Sequence, residues 1–163
     1  MEPQDHTDDQ TPPDCFRIEE LQVFQSFEGQ LLTDVNYFLW VNHLQEGQAF
    51  LRFLYALELI FEGDETLLLT SGEDSEAIHI SSPAELVKTA EVLRTLHNAL
   101  TIQRFHAGSL PLWLPVMDKP LETIRLSKNE AGFCYNDALV LDFDEKRILI
   151  RLSDKDGLEL GEM

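Results

Sequence analysis

With 163 residues, 44% of them hydrophobic, the chain is long enough to build one core without a disulfide or metal and too short for several domains. Thirty acids against twelve bases leave a formal charge of −18, which repels phosphate backbones and anionic headgroups and argues against nucleic acid or membrane partners. No apolar run reaches the length of a membrane span. Cys15 and Cys134 form no C-x-x-C pair, and no basic-then-apolar leader opens the chain, so the expectation is a cytoplasmic protein with two free thiols.

Met1 to Asp14 carries five acids and three prolines and no large apolar residue after the first. Such a segment buries too little surface to offset its chain entropy, so it reads as a disordered acidic tail, with a single domain over 15–163. Phe16 to Phe24 alternates Phe16 and Ile18 with Arg17 and Glu19, then changes phase at Leu21 and Val23; this predicts one or two short strands with an irregularity near Glu19 and Glu20. Gln25 to Gly29 reads as a turn. Leu31 to Asn42 is aromatic and β-branched, and near Tyr37 to Val41 it is apolar on both parities, as in a central strand covered on both faces. Ala49 to Glu62 fits a helix nearly as well as a strand. Its Phe, Tyr and Ile content and the Gly63-Asp64-Glu65 turn into Thr66 to Thr70 favour a strand and hairpin. Ser71 to Ile80 turns at Gly72 and returns as a strand through Ala77, Ile78 and Ile80.

Ser82 to Leu100 carries the clearest periodicity. Ser82 can cap, Pro83 fits the first helical position, Glu85 completes a capping box, and Leu86, Ala90, Leu93, Leu96 and Leu100 make one apolar face. A helix over 83–100 covering one face of a sheet is expected. Thr101 to His106 reads as a strand. Ala107 to Pro120 is apolar but carries three prolines, so it is expected to lie across the core or line a groove. Leu121 to Leu126 reads as a strand. Ala138 to Phe143 and Arg147 to Leu152 make a hairpin around Asp144-Glu145-Lys146, and Leu158 to Leu160 a last strand closing an edge. The fold class is α+β: about seven to nine strands, mainly antiparallel, in a curled or split sheet on one main helix.

Motifs for chemistry are sparse. None of His6, His43, His79, His97 and His106 stands in zinc-ligand spacing, and His97 late in the helix suits the negative end of its dipole. Glu73 and Asp74 crowd a turn without the ordered calcium loop pattern. Asp142 and Asp144 could share a face, and so a metal or an acid–base role, but a solvated hairpin end is the favoured reading. Cys134 lies between Phe133 and Tyr135 with no histidine near in sequence, which fits a structural thiol. No phosphate loop, nucleophile elbow or dinucleotide fingerprint occurs, and no cofactor or metal is expected. Trp113 and Leu114, in the proline-punctuated loop, read as interface anchors or as a plug of the core.

The leading expectation is a non-enzymatic interaction module whose acidic surface meets a basic protein, in the manner of an inhibitor or immunity-type protein. The alternative is an enzyme or small-molecule binder with a pocket between helix 83–100 and the sheet, using Glu73, Asp74, His97 and His106. A homodimer through an edge strand or through Trp113 is a third possibility.

Overall fold

In the computed structural model the described residues are 11–42, 52–71, 76–96, 100–153 and 157–163. Among them are two helices, α1 (Ile18–Phe27) and α2 (Pro83–Leu96), and nine strands: β1 (Leu32–Asn42), β2 (Arg52–Phe61), β3 (Glu65–Thr70), β4 (His79–Ser81), β5 (Leu100–His106), β6 (Thr123–Arg125), β7 (Ala138–Phe143), β8 (Lys146–Ser153) and β9 (Gly157–Glu162). The fold is α+β, with a curled, mostly antiparallel half-barrel sheet in the order β4-β3-β2-β9-β8-β7-β6. The remaining strands, β1 and β5, extend from the other side of β2.

One antiparallel unit is β5-β1-β2-β3-β4 and the other is β9-β8-β7-β6. They meet at a single parallel pairing, Leu54 with Gly157. The last strand, expected to close an edge, is therefore the seam between the units. The β7–β8 turn is tighter than expected, because Phe143 pairs with Lys146 and only Asp144 and Glu145 lie between.

The main core fills the concave side. Leu57, Leu59, Phe61, Leu67 and Leu69 from one unit meet Leu139, Leu141, Ile148, Ile150 and Leu158 from the other. This is the alternation visible in the sequence, with every second residue turned inward. A smaller cluster on the convex side, Tyr55, Ala56 and Leu68 beneath Leu86, seats α2. A bulge makes it possible. The register steps from Phe38 with Ala56 to Leu39 with Leu54, so Tyr55 is the extra residue, and its ring stacks on Trp40 at 5.1 Å.

Two sequence expectations are corrected. Phe16 to Phe24 is not a strand pair: α1 begins at Ile18 and runs through the expected turn to Phe27. Helical spacing buries Phe24 and Phe27 together, while Ile18, half of the apparent alternation, is 41% exposed. Glu20 caps the helix start by accepting the Arg17 N–H at 2.9 Å. The second correction concerns the main helix. Its start is as expected, with Ser82 Oγ accepting the Glu85 N–H at 3.2 Å. The described helix runs to Leu96, however, and Leu100 already opens β5 opposite Asn42. Leu86 and Leu93 are buried, but Leu96 is 67% exposed, because strand pairing claims the chain where the apolar period would have continued.

Most of the expected tail lies outside the described residues. Its final part touches the body: Asn136 donates from Nδ2 to Pro13 O at 3.1 Å and from its backbone to Asp14 O at 3.0 Å.

Candidate functional site

The loop after β5 is held by its tryptophan. Trp113 is 0% exposed, and its indole N–H donates to the Tyr37 hydroxyl at 2.7 Å. Of the two readings of Trp113, the plug of the core fits and the exposed contact does not: the prolines break regular pairing, so the loop folds inward and packs Trp113 and Val116 on the main core. Leu114, its neighbour, is 59% exposed and remains a surface residue.

Burial pushes the Tyr37 phenol above its ordinary value of 10.0, and the Trp113 hydrogen bond offsets part of the rise. Burial likewise raises the Cys15 thiol above 9.0, followed by its hydrogen bond to Asp14 and the charges of Asp14 and Cys134. Both groups hold their protons longer when folded, so their stabilisation is complete below pH 9 to 10 and is lost above it. The thermal midpoint should fall above about pH 9, and Tyr37→Phe should remove the part of the fall that begins near pH 10. Melts across this range would contradict the assignment if the Tyr37→Phe slope matched that of the parent.

The polar groups that do gather lie where β1 meets β5. His106 Nε2 sits 2.6 Å from Asp34 Oδ1, which also accepts the Val35 N–H at 2.9 Å. Register aligns His106, Asn36 and Glu58 in one row across β5, β1 and β2. Asn36 is 0% exposed; its Nδ2 donates to Glu58 Oε1 at 2.8 Å, and its Oδ1 accepts no bond. Gly108 permits this crowding, since a Cβ there would lie 2.9 Å from Asp34 Oδ1. A carboxylate that orients an imidazole is half of an acid–base device, but among the described residues no hydroxyl or thiol is hydrogen-bonded to the other ring nitrogen. Of the expected site residues only His106 belongs to this group. Glu73, Asp74 and His97 lie outside the described residues.

Asp142 is neither solvated nor paired with Asp144. It is buried, with Arg125 Nη2 at 2.7 Å and Nε at 2.9 Å and Arg147 Nε at 3.7 Å. This ion pair across β6, β7 and β8 explains the carboxylate structurally. Both cysteines are free and buried. No group of three or more His, Cys, Asp or Glu side chains among the described residues is placed to hold a metal ion.

Between α2 and the sheet, where a pocket was one expectation, Leu86 packs with Tyr55, Ala56 and Leu68. A cleft of about 760 Å³ opens elsewhere, between Pro12–Pro13, the start of α1 at Arg17, and β4 at His79.

Acids dominate one end of the sheet. The β2–β3 turn presents Glu62, Asp64 and Glu65; Leu31, beside it, bridges to Pro120, which brings Asp118 and Glu122 near. Glu62 accepts the Leu31 N–H at 3.0 Å and Glu28 accepts the Ile124 N–H at 2.8 Å, so both are tied down. Asp64, Glu65, Asp118 and Glu122 are exposed, as is Lys119 next to Asp118. Asp64 and Asp118 both hold φ of 63°, a left-handed backbone that Asp tolerates better than most residues. The sequence hides this convergence because it joins positions more than fifty residues apart through pairings that composition does not reveal. No helix among the described residues is long and apolar enough to cross a membrane.

No family model, curated protein or solved structure matches the chain.

Proposed function

We propose that the chain is a binding module for a basic protein, with the end bearing Asp64, Glu65, Asp118 and Glu122 as its contact surface. The observation that supports this is that exposed carboxylates from two separate segments, the β2–β3 turn and residues 118–122, are joined through the Leu31–Pro120 bridge, in a chain of net charge −18. Such a surface steers cationic partners and repels anionic ones. An inhibitor or immunity-type role fits this chemistry by analogy of charge and size.

The immobilised chain should retain a stoichiometric basic protein from host lysate at about 50 mM salt and release it at about 500 mM, where screening acts within a few ångströms. Glu65→Lys combined with Glu122→Lys should cut retention by about tenfold or more, whereas Glu91→Lys, on α2, should not. Retention that ignores salt, or that survives the double reversal, would overturn the reading. Failure to retain any protein would also overturn it and direct attention to the cleft beside Arg17.

A further inference from the structure

β5 is hydrogen-bonded along one side only among the described residues, by β1, in an antiparallel register running from Asn36 with His106 to Asn42 with Leu100. The end strands β4 and β6 hold only three residues each. β9 also has an open stretch, but Glu159 and Glu162 stand on that strand. The Ala107 N–H donates to Val35 O at 2.8 Å, which fixes the phase of the β1–β5 ladder. Thr101, Gln103 and Phe105 therefore exchange backbone bonds with β1, while Leu100, Ile102, Arg104 and His106 turn their N–H and C=O groups outward.

An unpaired row of this kind is a template for another strand, and edges are commonly blocked by proline, bulges or charge. β5 has no proline and no register shift, and Arg104 is its one permanent charge. It also carries no carboxylate, although 30 acids in 163 residues would place roughly one in a strand of seven.

We propose that β5 pairs antiparallel with β5 of a second copy, so that the two sheets continue as one. Parity and charge select this occupant and its register. Outward residues must face outward residues, and the pairing that overlaps all of β5 does this. It sets Ile102 opposite Arg104 of the second copy and Leu100 opposite its His106, with Gln103 meeting its own counterpart on the twofold axis. A two-residue slip one way opposes Arg104 to Arg104. A slip the other way leaves Phe105 and His106 unpaired.

The side chains agree with this register. Phe105 is 43% exposed in the single chain and lies 6.1 Å from Tyr37. It comes opposite Thr101, an aromatic against a β-branched residue, which is a favourable cross-strand pair. On the α2 side, Ile102 packs with Phe38 and Trp40 at the open margin of the smaller core. The stem of Arg104 from the second copy extends that margin while its guanidinium stays in water. Eight main-chain hydrogen bonds, about two for each outward pair, link the copies.

The pairing does not rest on the acidic-end reading, and salt separates the two. Chains of charge −18 repel each other, so added salt strengthens self-pairing and weakens capture of a basic partner.

Sedimentation equilibrium of the full chain from about 10 to 500 µM should show the mass rising from 18.7 kDa towards twice that, and more readily at high salt. Arg104→Pro removes an outward N–H without breaking the β1 ladder, and should raise the dimer dissociation constant about tenfold or more with the melting point retained. Gln103→Cys provides a second probe. Non-hydrogen-bonded partners stand about 4.5 Å apart at Cα, within disulfide range. In a buffer of glutathione disulfide the introduced thiols should be oxidised to one interchain S–S bond, with two glutathione thiols released. Arg104→Cys, which faces Ile102 instead, should cross-link far less. A chain that stays monomeric throughout would overturn the proposal. So would a dimer that Gln103→Cys does not cross-link, or one that Arg104→Pro leaves unchanged while its melting point holds.

Discussion

Trp113→Ala is expected to destabilise the protein by about 3–5 kcal/mol, the range for deleting a large aromatic side chain from a packed core. Trp113 has no exposed surface, and it comes from a loop with no ladder of its own. Its packing against the main core therefore carries the loop, together with Val116 and Leu121. The hydrogen bond to Tyr37 is the smaller share. Tyr37→Phe leaves the buried indole N–H without an acceptor and should cost about 1–3 kcal/mol. Trp113→Phe keeps much of the volume and should fall between these limits. Urea denaturation of the three variants provides the ranking. If Tyr37→Phe cost as much as Trp113→Ala, the loop would be held by polar geometry rather than by burial.

What the sequence made legible follows from how local each signal is. Strict alternation in Leu139, Leu141 and Phe143 and in Ile148, Ile150 and Leu152 marks a hairpin, since both strands and their turn lie within sixteen residues. The α2 cap is equally local, with Ser82 and Glu85 in contact as read. Ala49 to Glu62 was ambiguous by period, and β2 (Arg52–Phe61) is a strand because β1 and β3 flank it, a condition no window of residues contains. The same limit hid the candidate sites. Asp34 meets His106 across seventy-two positions, and the acidic end joins the β2–β3 turn to Asp118 and Glu122. Trp113 showed the converse difficulty. An apolar, proline-rich loop looks alike whether it folds inward or outward, and only the space inside the half-barrel decides.

Phe16→Ala should cost about 3–5 kcal/mol as well, but by a different route. Phe16 is 1% exposed and packs edge-on against Phe24, with ring centroids 5.0 Å apart. Its backbone N–H donates to Cys134 O at 2.7 Å, beside the bridge between Cys15 and Tyr135. These contacts tie the start of α1 to the segment between β6 and β7. A ten-residue helix is marginal on its own, so α1 depends on the burial of Phe16, Phe24 and Phe27 rather than on propensity. Removing Phe16 should therefore loosen the helix as well as leave a cavity. Amide exchange in Ile18–Phe27 should accelerate more than exchange in β7 and β8, which keep their ladder. Trp113→Ala, in contrast, should leave α1 protected relative to the rest of the core. If Phe16→Ala lowered stability while α1 and the β7–β8 hairpin lost protection equally, the helix would be an integral part of the cooperative core, and the aromatic pair would not be its separate anchor.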